Sequence, residues 1–130
     1  LLESRGLGDV YKRQTIVFDK DDELFLVTGS PGGSDIPAAI LRVITGVIDF
    51  DLDIGEATML PRIHKDWPYR GLEHERAVSR DIVRRLSSMG HEPEYENTIG
   101  STQSIHIVDD VNYGYADLRR PNAGVSVQTN

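Results

Sequence analysis

Three observations in the sequence predict an α+β fold. Two apolar, β-branched or aromatic runs, residues 15–18 and 24–27, flank the polar turn Asp19-Lys20-Asp21-Asp22 and read as a β-hairpin. Directly after them, Ile36, Ile40, Val43 and Val47 recur at helical spacing. Near the other end the pattern returns to period two over residues 102–108, with Ile105 and Ile107 on one side. Strands, helices and strands again within one short chain describe a layered sheet with helices against it.

Each element follows from local signals. The hairpin's unbroken apolar runs suggest burial on both faces. Residues 28–34, TGSPGGS, form a glycine-rich turn into the first helix. Ser34 or Asp35 can cap that helix, and Pro37 fits its first turn. Ala39, Ile44 and Ile48 widen the apolar stripe, and Arg42, Thr45 and Asp49 leave a thin polar face, so the helix is expected mostly buried. Residues 53–58 predict a short second helix capped by Asp53 and ended by Pro61. Residues 64–71, with Trp67 and Pro68, read as a loop, and 72–75 as a short strand. Ser79 caps a third helix with Ile82, Val83, Leu86 and Met89 facing inward and Gly90 as its left-handed C-terminal cap. Residues 92–96 predict a strand, and a turn at 109–112 leads to another at 113–117. No pattern marks residues 118–130.

Composition narrows the function. The 130 residues are 38% hydrophobic and 27% charged, within the globular range. The 14 Lys and Arg against 21 Asp and Glu give a charge of −7, which argues against nucleic acid or an anionic membrane as main partner. No cysteine is present, which excludes disulfides, thiolate metal sites and cysteine nucleophiles. No apolar run is long enough to span a membrane. With no internal repeat or low-complexity linker, the chain reads as one domain or part of one. The apolar hairpin and first helix predict that a covering segment lies outside it.

The sharpest chemical feature is Thr28-Gly29-Ser30-Pro31-Gly32-Gly33-Ser34, between an apolar strand and an apolar helix. Adjacent glycines let the backbone approach a ligand, and the helix start offers unpaired N–H groups. Such a loop can hold an anion or the oxyanion of an acyl-transfer transition state. It is neither a Walker loop nor a GxGxxG motif. Glycine content alone leaves a ligand loop and a plain tight turn equally open. His64, His74, His91 and His106 have no metal-site spacing. Asp51/Asp53 and Glu94/Glu96 read as solvated faces before acid–base pairs. Gly100-Ser101-Thr102-Gln103-Ser104 reads as a polar turn into a strand, and Asp117-Leu118-Arg119-Arg120 as a charge pair locking the sheet's end.

Two resemblances add to this reading. Residues 4–14, SRGLGDVYKRQ, resemble the translation of a sequencing-library adapter, so residues 1–14 are set aside as outside the fold. Their charges, Arg5, Lys12 and Arg13 against Glu3 and Asp9, do not account for the acidic excess. From Thr15 onward, TGSPGGS, then DIGEATMLPRIHKDW (53–67), GSTQSI (100–105) and YGYADLRR (113–120) resemble, in order and spacing, the C-terminal part of the gamma-glutamyltransferase (glutathione hydrolase) small subunit.

The resemblance implies that residues 15–130 are part of an N-terminal nucleophile hydrolase αββα sandwich. It implies a precursor that cuts itself into large and small subunits, with the new N-terminal threonine of the small subunit as nucleophile. The substrate would be a small γ-glutamyl compound such as glutathione, with no cofactor and no metal. Gly32 and Gly33 map onto the oxyanion hole and the substrate-binding loop. The partners implied are the rest of the small subunit and the large subunit; the location implied is periplasmic or secreted. The nucleophilic threonine would lie upstream of this segment, so the 130 residues alone are expected to be inactive. A Ser-Ser-Met segment normally precedes the first strand; Tyr11-Lys12-Arg13-Gln14 stands in its place, and Ser87-Ser88-Met89 does not inherit its role. Leu118 stands where family members usually carry proline. Two further readings stay open on residues alone: an anion-binding module built on the glycine loop, and a non-catalytic relative.

Overall fold

The computed structural model describes residues 11–66, 68 and 71–126. Ten elements follow one another: β1 (Tyr11–Phe18), β2 (Leu24–Gly32), α1 (Ile36–Ile48), α2 (Ile54–Met59), β3 (Ile63–Lys65), β4 (Leu72–His74), α3 (Arg80–Ser88), β5 (Pro93–Tyr95), β6 (Gln103–Val108) and β7 (Val111–Ala116). β1, β2, β6 and β7 form an antiparallel sheet in that spatial order, and β3, β4 and β5 form a smaller sheet. β4 and β5 run parallel, and α3 is the crossover that this pairing requires.

Register separates the two faces of the large sheet. Val17, Leu26, His106 and Tyr113 form one cross-strand row, and Ile16, Val27, Ile105 and Gly114 the next. The first row faces the helices. There Leu26 packs with Val43 and Val47 of α1 and Ile54 and Ala57 of α2, flanked by Val17, Phe25, Ile44, Leu52 and Tyr115. The second row lies on the opposite face, where Ile16 is 52% and Ile105 46% exposed. Burial on both faces, expected from the apolar runs, is therefore not what this sheet shows. Among the described residues only its helix side is covered, apart from Val125 lying over Gly114.

Helix α1 buries Ile36, Ala39, Ile40, Val43 and Val47, as its spacing predicts. Leu41 and Ile48 are nevertheless more than half exposed, so the helix is amphipathic rather than mostly buried. Gly46 lets α2 cross it closely, since a Cβ there would sit 2.8 Å from that of Ala57. α2 starts in a capping box: the Asp53 carboxylate accepts from the Glu56 N–H, and the Glu56 carboxylate from the Asp53 N–H. The β6–β7 hairpin turns on Asp109 and Asp110, both at positive φ, the conformation of a tight primed turn.

Three expectations change. Residues 63–65 form β3 rather than loop, because β4 offers them an antiparallel partner; Trp67 lies outside the described residues. Helix α3 is capped by Ser79 and ends at Gly90 with φ +91°, but it buries no residue, and Ile82 and Met89 are half or more exposed. Its apolar stripe is only partly covered by the described residues: Val83 and Leu86 are half-buried, while Ile82 and Met89 stay exposed. Finally, Tyr11, Lys12, Arg13 and Gln14, set aside on sequence, pair with Gly32, Pro31, Ser30 and Gly29. A ladder is built from backbone groups, so an edge position accepts nearly any side chains.

Candidate active site

Strand β2 runs through Gly32, so five residues of the glycine-rich stretch 28–34 are strand, and only Gly33, Ser34 and Asp35 make the bend into α1. Gly32 has φ +148°, in the range that favours glycine; a Cβ there would lie 3.1 Å from Asp35 Oδ1 and 3.3 Å from Ile36 Cγ1. Gly33 is exposed, and its N–H donates to Asp35 Oδ1 at 3.0 Å. Asp35 holds the N-cap position of α1 without a side-chain bond to the helix.

The structure brings a second segment to this bend. The Ser101 N–H donates to Ser30 Oγ at 3.0 Å. Gly100, at φ +66°, lies so close to α1 that a Cβ would meet that of Ala39 at 2.6 Å. One strand deeper, Thr28 Oγ1 and Ser104 Oγ share a hydrogen bond of 2.8 Å beneath the helices. The polar turn 100–104 and the glycine loop, unrelated by spacing in sequence, thus form one unit.

Four charges hold that unit from below. Arg62, 1% exposed, meets Asp117, 0% exposed, at 2.8 Å. Its guanidinium also donates to the carbonyls of Ile99 and Thr58 and to Thr102 Oγ1. Asp117 accepts from the Thr102 and Arg119 N–H groups. Arg119 clasps Glu75 through two bonds of 2.6 Å and reaches the Thr58 and Leu60 carbonyls. Glu75 in turn accepts from the Ile99 and Arg62 N–H groups. Every residue from Ile99 to Thr102 except Gly100 is thereby tied by its backbone to this cluster or to Ser30.

The charges titrate accordingly. Burial alone would raise the Asp117 carboxyl, but Arg62 and the two N–H donors outweigh it and hold it below the ordinary carboxylate range. Glu75 is likewise lowered: burial works to raise it, and the bonds from Arg119, Ile99 and Arg62 prevail. Burial pulls the Arg62 guanidinium down against the opposing pull of Asp117, yet an arginine stays charged. Arg119 is raised, since burial is overcome by Glu75 and Asp117. Burial lowers His106, which packs edge-on to Phe25 at 4.7 Å.

The remaining candidates scatter. His64 lies in β3, and His74 stacks edge-on with Tyr95. Asp53 is the cap of α2, and Asp51, Glu94 and Glu96 are not buried. No cluster of three potential metal ligands occurs among the described residues. The expected charge pair at the tail is present, and Leu118 between its members is 68% exposed. Nothing local in the sequence marks Arg62 or Glu75 as a site residue. Arg62 follows a helix-ending proline, and Glu75 looks like one more acid in an acidic chain.

Comparison with known proteins decides the family. The gamma-glutamyltranspeptidase family model matches residues 13–127. The chain belongs to the gamma-glutamyltranspeptidase family. A glutathione hydrolase proenzyme of Escherichia coli is 40% identical over 101 residues, 77% of this chain and 17% of that protein. A second, from Bacillus subtilis, is 34% identical over 87% of this chain and 19% of its own length. The chain therefore spans under a fifth of these curated relatives. A crystal structure of a Helicobacter pylori gamma-glutamyltranspeptidase mutant superposes with a TM-score of 0.81 at 32% identity, covering 92% of this chain and 66% of that one. The α+β architecture is that of the N-terminal nucleophile hydrolase gamma-glutamyltranspeptidases. No helix among the described residues is long and apolar enough to cross a membrane.

Proposed function

We propose that this chain is the C-terminal part of a gamma-glutamyltranspeptidase small subunit and supplies the oxyanion loop of its active site. The reaction is release of the γ-glutamyl group of glutathione or a related amide to water or to an amine. The nucleophile is an N-terminal threonine provided by polypeptide outside these 130 residues, so the chain alone is inactive. The threonine oxygen adds to the γ-carbonyl carbon while the threonine's own α-amino group takes its proton. The carbonyl oxygen becomes an oxyanion facing the N–H groups of Gly32 and Gly33. Collapse breaks the amide bond, the departing amine leaves with the proton, and a second nucleophile releases glutamate or its transfer product from the acyl-enzyme.

The supporting observation is the bend itself: two consecutive glycines at the end of a strand buried on one face, one at positive φ, braced through Ser30 by a segment that four largely buried charges hold. The row of Ile16, Val27 and Ile105, in which Ile16 and Ile105 are about half exposed among the described residues, fits a second sheet supplied by the rest of the small subunit and the large subunit. Residues 4–14 we assign to an adapter-derived sequence, which genomic DNA upstream of the Thr15 codon would test. A self-contained anion-binding module is not favoured, because the chain belongs to an enzyme family.

The test uses a chromogenic γ-glutamyl anilide. The complete, self-processed protein should release aniline, and the 130-residue chain should not. Gly32→Ala, which keeps the N–H but places a side chain at unfavourable φ and so shifts the backbone, should lower kcat by up to about 10²–10³, the worth of one oxyanion donor. Turnover by the 130 residues alone, abolished by replacing one internal Ser or Thr, would sink the proposal.

A further inference from the structure

The Gly33 donor is already taken. Its N–H bonds to Asp35 Oδ1 at 3.0 Å, and the Asp35 side chain caps nothing in α1. Hypothetical Cβ atoms place this carboxylate among three glycines. One on Gly32 would lie 3.1 Å from Oδ1, and one on Gly100 would lie 3.7 Å from Oδ2. Asp35 is half-buried there, with its negative charge on the loop that should receive a developing negative oxygen.

We infer that Asp35 is a built-in competitor for the oxyanion site, holding the Gly33 N–H until a substrate oxygen displaces it. The inference rests on the oxyanion role proposed for Gly32 and Gly33. A bond from an N–H to a carboxylate is stronger than one to a neutral carbonyl, so the bound substrate's uncharged oxygen displaces Asp35 poorly. Once that oxygen gains charge, it competes for the same donor and is repelled by the neighbouring carboxylate. Asp35 therefore raises the energy of the transition state more than that of the bound ground state, and its effect falls on kcat rather than KM. Asp35 is a positioning residue: it acts through the Gly33 donor and needs no contact with substrate.

Asp35→Ala and Asp35→Asn are compared in the complete, self-processed protein with the γ-glutamyl anilide. Asp35→Ala should raise kcat roughly tenfold, below the ~10²–10³ that a whole oxyanion donor carries, with KM little changed. Asp35→Asn keeps an acceptor oxygen without the charge and should give a smaller rise. In parallel, NMR follows the Gly33 amide proton, which should move upfield in Asp35→Ala as the charge-assisted bond is lost. Unchanged or lowered kcat in Asp35→Ala overturns the inference, as does a fall in kcat that tracks a fall in melting temperature in both variants. An unmoved Gly33 amide overturns it whatever the turnover. If the unsubstituted protein releases no aniline, the gamma-glutamyl reading fails, and the amide measurement still decides whether Asp35 holds the donor.

Discussion

The bend at Gly32–Gly33 and the helix α3 are both short segments next to glycine, and they are supported in opposite ways. The bend is held by contacts between residues far apart in sequence: Ser30 with Ser101, Arg62 with Asp117, and Glu75 with Arg119. Helix α3 is held by its own ends. Ser79 Oγ accepts from the Ile82 N–H, Asp81 pairs with Arg84 one turn on, and the chain closes at Gly90. It buries none of its residues. A loop proposed to present backbone donors in one geometry needs a rigid support, and that support comes from burial and long-range polar bonds. A crossover helix needs only to return the chain to a parallel strand.

Arg62→Met should break this contrast most severely. It leaves Asp117 buried, with Arg119 at 3.2 Å as its remaining cation. Removing one partner of a buried pair costs about 3–5 kcal/mol. Urea unfolding should show that loss, and adding Asp117→Asn should recover part of it because the stranded charge is gone. A cost below that of an ordinary surface substitution would mean that the box is not what supports the bend.

Acid should act on the same region. Glu75 and Asp117 both have folded-state pKa values below those of the unfolded chain. Their stabilisation is full above the unfolded carboxylate range of about 4 and is lost as pH falls through the lowered folded values. His106, lowered by burial, adds a loss that begins as pH drops below about 6.5, since the unfolded chain then binds the proton first. Melting temperature against pH should therefore fall gently below neutrality and steeply in acid. Asp117→Asn should flatten the acid limb and His106→Gln the upper one. A profile flat down to strong acid would contradict the assigned direction of these shifts.

The smallest effect is expected at α3. Replacing Ser79 by Ala should cost at most about 0.5 kcal/mol, the weak end of the N-cap range, because the Ser79–Ile82 bond is long at 3.4 Å. Hydrogen exchange should quicken over residues 80–84 and leave Ile99 and Thr102 unchanged. Faster exchange at Thr102 would show that the two regions are coupled after all.

Elements built on local signals were readable in advance. The α1 stripe, the Asp53 and Ser79 caps, the Gly90 terminus and the alternation of β6 are all signals carried within a few residues of sequence. The oxyanion role proposed for Gly32 and Gly33 rests on a family likeness, since glycine content alone leaves it open. Other features had no local trace. The helix-facing side of β6 carries Ser104 and His106, while Ile105 faces out, the reverse of what apolar patterning suggests. It is tolerated because Ser104 finds Thr28 across the strand. Glu75 looked like a surface acid because nothing near it in sequence predicts that Arg119, forty-four residues on, would reach it.

By itself, then, the sequence determined the α+β class, the order of the main elements, the glycine bend and the family. Those depend on spacing, turn chemistry and short motifs that lie within one stretch of chain. Packing, by contrast, set the bend on a largely buried four-charge box, brought the polar turn at Gly100 to brace it, and placed Asp35 on the Gly33 donor. Buried charges survive only where partners complete them, and which partners meet is settled by how the sheets and helices pack.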